Sequence, residues 1–136
     1  MDNLMFVLLP FIAWVIAGGI KFLCNSFRFR GEGVQRIGNG GFPSTHTAVV
    51  TTVACFIGLH EGFKTPYFLL AITFLFITIL DAIGVRRTVG LHAEYINELL
   101  PKDKQKLREL QGHKLHEILG GLVLGTVLGY LANLVG

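Results

Sequence analysis

From Asn3 to Ile20 the chain carries no charged side chain, and three more uncharged apolar runs follow, Thr45 to Leu59, Thr65 to Leu80 and Ile118 to Gly136. A helix needs about 20 apolar residues to cross the hydrocarbon of a bilayer, within a range of roughly 17–25. The first, third and fourth runs approach or meet that length. The second is short and has to tilt, sit beside thinned lipid or be lined by protein. The first run lacks a basic n-region and a small-x-small cleavage site, so it reads as a retained span and not as a signal peptide. The patterning predicts an all-α integral membrane helical bundle of about four transmembrane helices, a single domain over 1–136. Charged residues make up 15% of the chain and hydrophobic ones 51%, against roughly 25% charged in a soluble domain. That balance excludes disorder and a nucleic-acid partner.

The charges fall almost wholly into two segments. Lys21, Arg28, Arg30 and Arg36 lie between the first two runs, and Arg86 through Lys114 hold most of the rest between the last two. Four spans put both segments on one face, which the positive-inside rule makes cytoplasmic. In the second charged segment Val89, Ala93, Ile96 and Leu100 recur at helical spacing. We read an interfacial helix there, broken at Pro101, then a solvated helix through residues 102–111 and a turn at Gly112. Cys24 and Cys55 form no CxxC pair and read as membrane packing residues. In the last run Gly121, Gly125 and Gly129 stand four apart, a spacing that lets helices approach closely. It serves packing inside the bundle or, alternatively, a homodimer.

Chemistry enters at three places. Lys21 and Arg28 are seven apart, about two turns of a continuing helix, and share a face; snorkelling at the lipid boundary is their plain alternative. Next, Gly38 to His46 forms a glycine-rich loop running into an apolar helix. There Ser44 or Thr45 caps the helix N-terminus and free N–H groups offer an anion site. Last, His113 and Glu117 are four apart at the opening of the final run, so the carboxylate can hold the imidazole. A histidine oriented by a carboxylate is the constellation of a nucleophile or base. A metal site of His113, His116 and Glu117 is a rival, though these three cannot easily close a shell alone.

Taken in order, K21-FLCNSF-R28, P43-S44-T45-H46 and H113-KLH-E117 resemble the three marks of the type-2 phosphatidic acid phosphatase superfamily, which also includes vanadium-dependent haloperoxidases. The chain looks most like its small divergent bacterial and plastid branch, which the stretch DAIGVRRTVGLHAEYIN at 81–97 also resembles. Phe29 stands where the family has proline, Thr45 where it has glycine, and Glu117 where most relatives have aspartate. Leu107 occupies the place of the family's arginine, with Arg108 one residue out of register, so Arg86 or Arg87 is expected to supply that charge. The resemblance implies a phosphatase acting on a lipid phosphate or isoprenyl diphosphate in a bacterial or plastid-type membrane, without metal or other cofactor. It implies His113 as nucleophile, Glu117 as its orienting acid and His46 as proton donor. Lys21, Arg28, Gly41, Phe42, Ser44 and one of Arg86 and Arg87 would hold the phosphate, and vanadate would mimic it. A non-catalytic lipid-phosphate binder or transporter is the alternative.

Overall fold

In the computed structural model, residues 3–28, 41–101, 104–109 and 111–135 are described, with side chains of the first helix from Phe6 to Phe27. Among these residues five helices follow one another: α1 (Asn3–Arg28), α2 (Thr45–His60), α3 (Pro66–Ile83), α4 (Val85–Leu99) and α5 (Leu115–Val135). Their bounds track the apolar runs. α1, α3 and α5 are long and apolar enough to cross a membrane, and α2, at 16 residues, is shorter. The protein is thus an all-helical integral membrane bundle.

Local signals start and stop these helices as their chemistry requires. The Ser44 hydroxyl accepts the Thr47 N–H at the start of α2, and the Thr65 hydroxyl accepts the Phe68 N–H at the start of α3, just ahead of Pro66. Both satisfy a donor that the first turn leaves without a backbone partner. α3 breaks at Gly84 and α4 begins at once, so α4 leaves the bundle as a separate amphipathic helix.

The packing inverts that of a soluble domain. Ala13, Ala17, Ala48, Thr47 and Thr52 are buried, whereas Phe11, Trp14, Leu69 and Phe74 are each more than 60% exposed along the sides. Lipid solvates large apolar side chains as well as a core does, so small residues that allow backbones to approach decide the contacts. Outward-facing threonines return their hydroxyls to the preceding turn, Thr73 to the Leu69 carbonyl and Thr78 to the Phe74 carbonyl, both at 2.8 Å. With no water to solvate them, such groups must find a partner within the chain.

The tightest contact is between α2 and α5. A Cβ added at Gly121 would lie 2.6 Å from the Ser44 carbonyl oxygen, at Gly125 2.5 Å from that of Ala48, and at Gly129 2.6 Å from that of Thr52. The glycine stripe is therefore filled by α2 of the same chain. Further along, α3 and α5 flank α2 around an apolar cavity of about 640 Å³ lined by Ala54, Phe63, Phe68, Leu75 and Tyr130. Thr51 also lines it, and its Oγ1 is the one buried side-chain polar atom without a partner among the described residues.

One expectation for the second charged segment is corrected. The described residues between Pro101 and Lys114 form no helix. They make a strap lying back along α4, because Asn97 captures their backbone: its Nδ2 donates to the Leu107 carbonyl at 2.8 Å and its Oδ1 accepts the Leu107 N–H at 2.7 Å. The packed face of α4 is Gly90, Ala93 and Asn97, while Val89 and Ile96 are exposed. The strap lies so close that a Cβ at Gly90 would run into the Glu109 carbonyl oxygen.

Candidate active site

The strap delivers His113 to the end of α3, where its N–H donates to the Ala82 carbonyl at 3.2 Å. Gly112 packs directly on the Arg87 backbone, where a Cβ would stand 2.8 Å from its Cα. One turn later Glu117 reaches back, and its Oε2 lies 3.0 Å from His113 Nδ1. Both residues are buried. The same Oε2 accepts the Lys114 N–H at 3.0 Å, and the Gly41 backbone also bonds the carboxylate. A carboxylate held from several sides fixes the ring: with Nδ1–H turned to Glu117, His113 presents Nε2 as a lone pair. Burial pulls the His113 pKa below the ordinary imidazole range, against the opposing pull of its bond to Glu117, and the cations Lys21 and Arg86 lower it further. The ring is therefore neutral near pH 7, the form a nucleophile needs.

The loop before α2 closes the other side. Gly41 has φ +144°, a conformation L side chains rarely adopt, and a Cβ there would stand 3.1 Å from Asn25 and 3.5 Å from Lys21. Glycine is thus required twice over, for its backbone angle and for its contact with α1. The Phe42 ring covers Gly120 and stacks on His116, with ring centroids 6.5 Å apart. His116 is thereby drawn outward, and among the described residues no three His, Cys, Asp or Glu side chains are grouped to hold a metal ion.

Ser44, expected among the phosphate ligands, is fully buried. Its hydroxyl bonds Thr47 Oγ1 at 2.9 Å and caps α2, while its N–H donates to the Glu117 carbonyl at 2.9 Å. Its hydroxyl is used within the first turn of α2, and its N–H joins α2 to α5. His46, on the first turn of α2, is exposed, and Arg86, His113, Lys21 and Asp81 all lie close enough for their charges to act on it. The three motifs thus converge on one end of the bundle. Arg28 closes α1, and its side chain lies outside the described residues.

The choice between Arg86 and Arg87 turns on the break at Gly84. Arg86 is half-buried, its Nε bonded to Asp81 Oδ2 at 2.5 Å, and its charge acts on both histidines. Arg87 is exposed, with its backbone beneath Gly112. Leu107, at the place of the family's arginine, is held by Asn97 eleven residues past Arg86, about 16 Å along α4.

Sequence reasoning missed Asn25, Asp81 and Asn97. Asn25 did carry a signal, since a polar side chain in a membrane segment is costly unless it is used. It is only 6% exposed, one turn beyond Lys21.

A family model described as the Divergent PAP2 family matches residues 1–128. An uncharacterized membrane protein of Bacillus subtilis (strain 168), YuiD, is 36% identical, the match covering 67% of this chain and 72% of that protein. No solved structure matches.

Proposed function

The chain belongs to the Divergent PAP2 family, and on that premise we propose that it is a membrane-embedded, metal-independent phosphatase of lipid phosphates or isoprenyl diphosphates. The observation that carries this reading is the buried His113–Glu117 pair, 3.0 Å apart, opposite His46 at the membrane boundary. His113 Nε2 attacks phosphorus while the bond to the leaving oxygen breaks, and His46 gives that oxygen its proton. Glu117 balances the charge that develops on His113. Water, its proton taken by His46, then attacks the phosphohistidine; the P–N bond breaks and inorganic phosphate leaves. Positioned acid–base catalysis of this kind contributes about 10²–10⁴-fold.

Lys21, Arg28, Arg86 and the Phe42 N–H are assigned to the phosphoryl oxygens, where aimed positive charge does most for the transition state. A site at the end of the bundle lets a lipid present its headgroup without leaving the bilayer. The clustered basic residues on that face support a cytoplasmic orientation.

A second reading, a lipid-phosphate binder or transporter, is favoured by Leu107 in place of the family's arginine. Purified protein given a panel of lipid phosphates separates the two. Phosphate release by wild type, inhibited by vanadate, insensitive to chelator and lost in His113→Ala, supports the phosphatase. Lipid binding without release supports the binder.

A further inference from the structure

Asp81 ends the third apolar run and has no part in the three motifs, yet it stands at the site. Its neighbour Ala82 accepts the His113 N–H, and its own carboxylate takes Arg86 Nε at 2.5 Å across the break at Gly84. We infer that Asp81 is a positioning residue for anion recognition, holding the Arg86 guanidinium edge-on toward the phosphoryl group between His46 and His113. The inference rests on the reading of this end of the bundle as a phosphate site.

The chemistry of the guanidinium supports the assignment. It has five N–H donors in a rigid plane, and a carboxylate on Nε leaves four on the two Nη groups. Those can meet two phosphoryl oxygens in parallel, the arrangement that makes arginine selective for such groups. An arginine on the first turn of α4 has many rotamers, and only a fixed partner selects the one aimed at the histidines. Asp81 is suited to this because it lies on α3, the helix that also receives His113, so one helix end registers nucleophile and cation together. Both side chains are close to 40% exposed, so the pair contributes little to stability on its own; orientation is its stronger use.

Orthovanadate titrated calorimetrically into the full-length protein in detergent tests this, with Asp81→Asn, Asp81→Glu, Arg86→Gln and the Asp81→Asn/Arg86→Gln double variant. We expect Asp81→Asn to weaken vanadate binding about tenfold and Arg86→Gln by at least as much. The double variant should match Arg86→Gln within about twofold, because Asp81 acts only through Arg86. Asp81→Glu should recover most of the loss. Losses that add in the double variant overturn the inference, as does an Asp81→Asn protein that binds vanadate like wild type or more tightly. Lipid-phosphate hydrolysis on the same samples separates the two claims. Coupled vanadate binding without phosphate release overturns the phosphatase and leaves the role of Asp81 standing. Phosphate release with unaltered vanadate binding in Asp81→Asn overturns the role of Asp81 alone. A wild type that binds no vanadate overturns both.

Discussion

Among the contacts that hold the His113–Glu117 segment in place, two are built on opposite plans. On the α5 side, Gly121, Gly125 and Gly129 bring α5 against the α2 backbone, with nothing but hydrogen between them. On the strap side, one side chain, Asn97, bonds the Leu107 backbone twice and Glu109 Oε1 once, at 2.8 Å. The first contact is a surface spread over two full turns and more; the second is a single clamp. A distributed contact fails together with the fold, whereas a clamp can fail by itself. The α2–α5 seam therefore belongs to stability and the Asn97 clamp to the placement of the site.

The comparison breaks most visibly at Gly125. Leucine there must displace the Ala48 carbonyl and the Thr51 side chain, and overpacking costs typically 1–3 kcal/mol, more when backbone must move. We expect Gly125→Leu to lose cooperative melting in detergent and all turnover with it; unaltered melting would show that the seam opens freely.

Glu117→Gln comes next, because it leaves the seam intact and removes only the charge. Turnover should fall on the order of 10²-fold or more with melting nearly unchanged. The carboxylate also holds the His113 pKa up against burial and the cations Lys21 and Arg86. Without it the ring protonates at lower pH, so the acid limb of the kcat/KM profile should move to lower pH in Glu117→Gln. A limb that stays in place would separate Glu117 from His113.

Asn97→Ala tests the clamp. It leaves the Leu107 N–H and carbonyl without these partners, a loss of about 1–3 kcal/mol. The loss should appear mainly as a roughly tenfold drop in turnover, with α2–α5 amide exchange unchanged. Faster exchange along α2 would mean that strap and seam are one cooperative unit.

Arg87→Gln is expected to have the smallest effect, within about twofold in turnover, as for an exposed surface change. Arg86→Gln in the same assay should lower it by tenfold or more. Equal effects would remove the distinction drawn from the break at Gly84.

The same contrast explains what could be read from the residues alone. Uncharged runs fix the spans because lipid imposes length and polarity directly, and α1, α2, α3 and α5 fall where those runs lie. The three motifs are local, with spacings that hold on any helix, so the His113–Glu117 pairing was legible. The strap was not. KDKQKLRELQ has good helix-forming residues, and nothing local announces that Asn97 will take the Leu107 backbone. On α4 the apolar periodicity marks the side that avoids water, and at a membrane that side need not face protein, so Val89 and Ile96 stay exposed. Ser44 offered two uses, cap and anion ligand; the cap bond is the one the fold displays, with Gly121 of α5 packed on the Ser44 carbonyl. Arg86 and Arg87 are adjacent, and only the turn at Gly84 and the carboxylate of Asp81 distinguish them.

The backbone bond from the Ser44 N–H to the Glu117 carbonyl, 2.9 Å long, has a consequence for the bilayer around the protein. α2 is about 24 Å long and the hydrocarbon about 30 Å thick, so the bilayer beside it has to thin. The bond ties α2 to α5 at their site ends, and the contacts at Gly121, Gly125 and Gly129 continue that tie along the pair. α2 and α5 then meet a change of lipid thickness as one unit. The distance between the two motif-bearing helix starts stays constant while the surrounding lipid absorbs the mismatch.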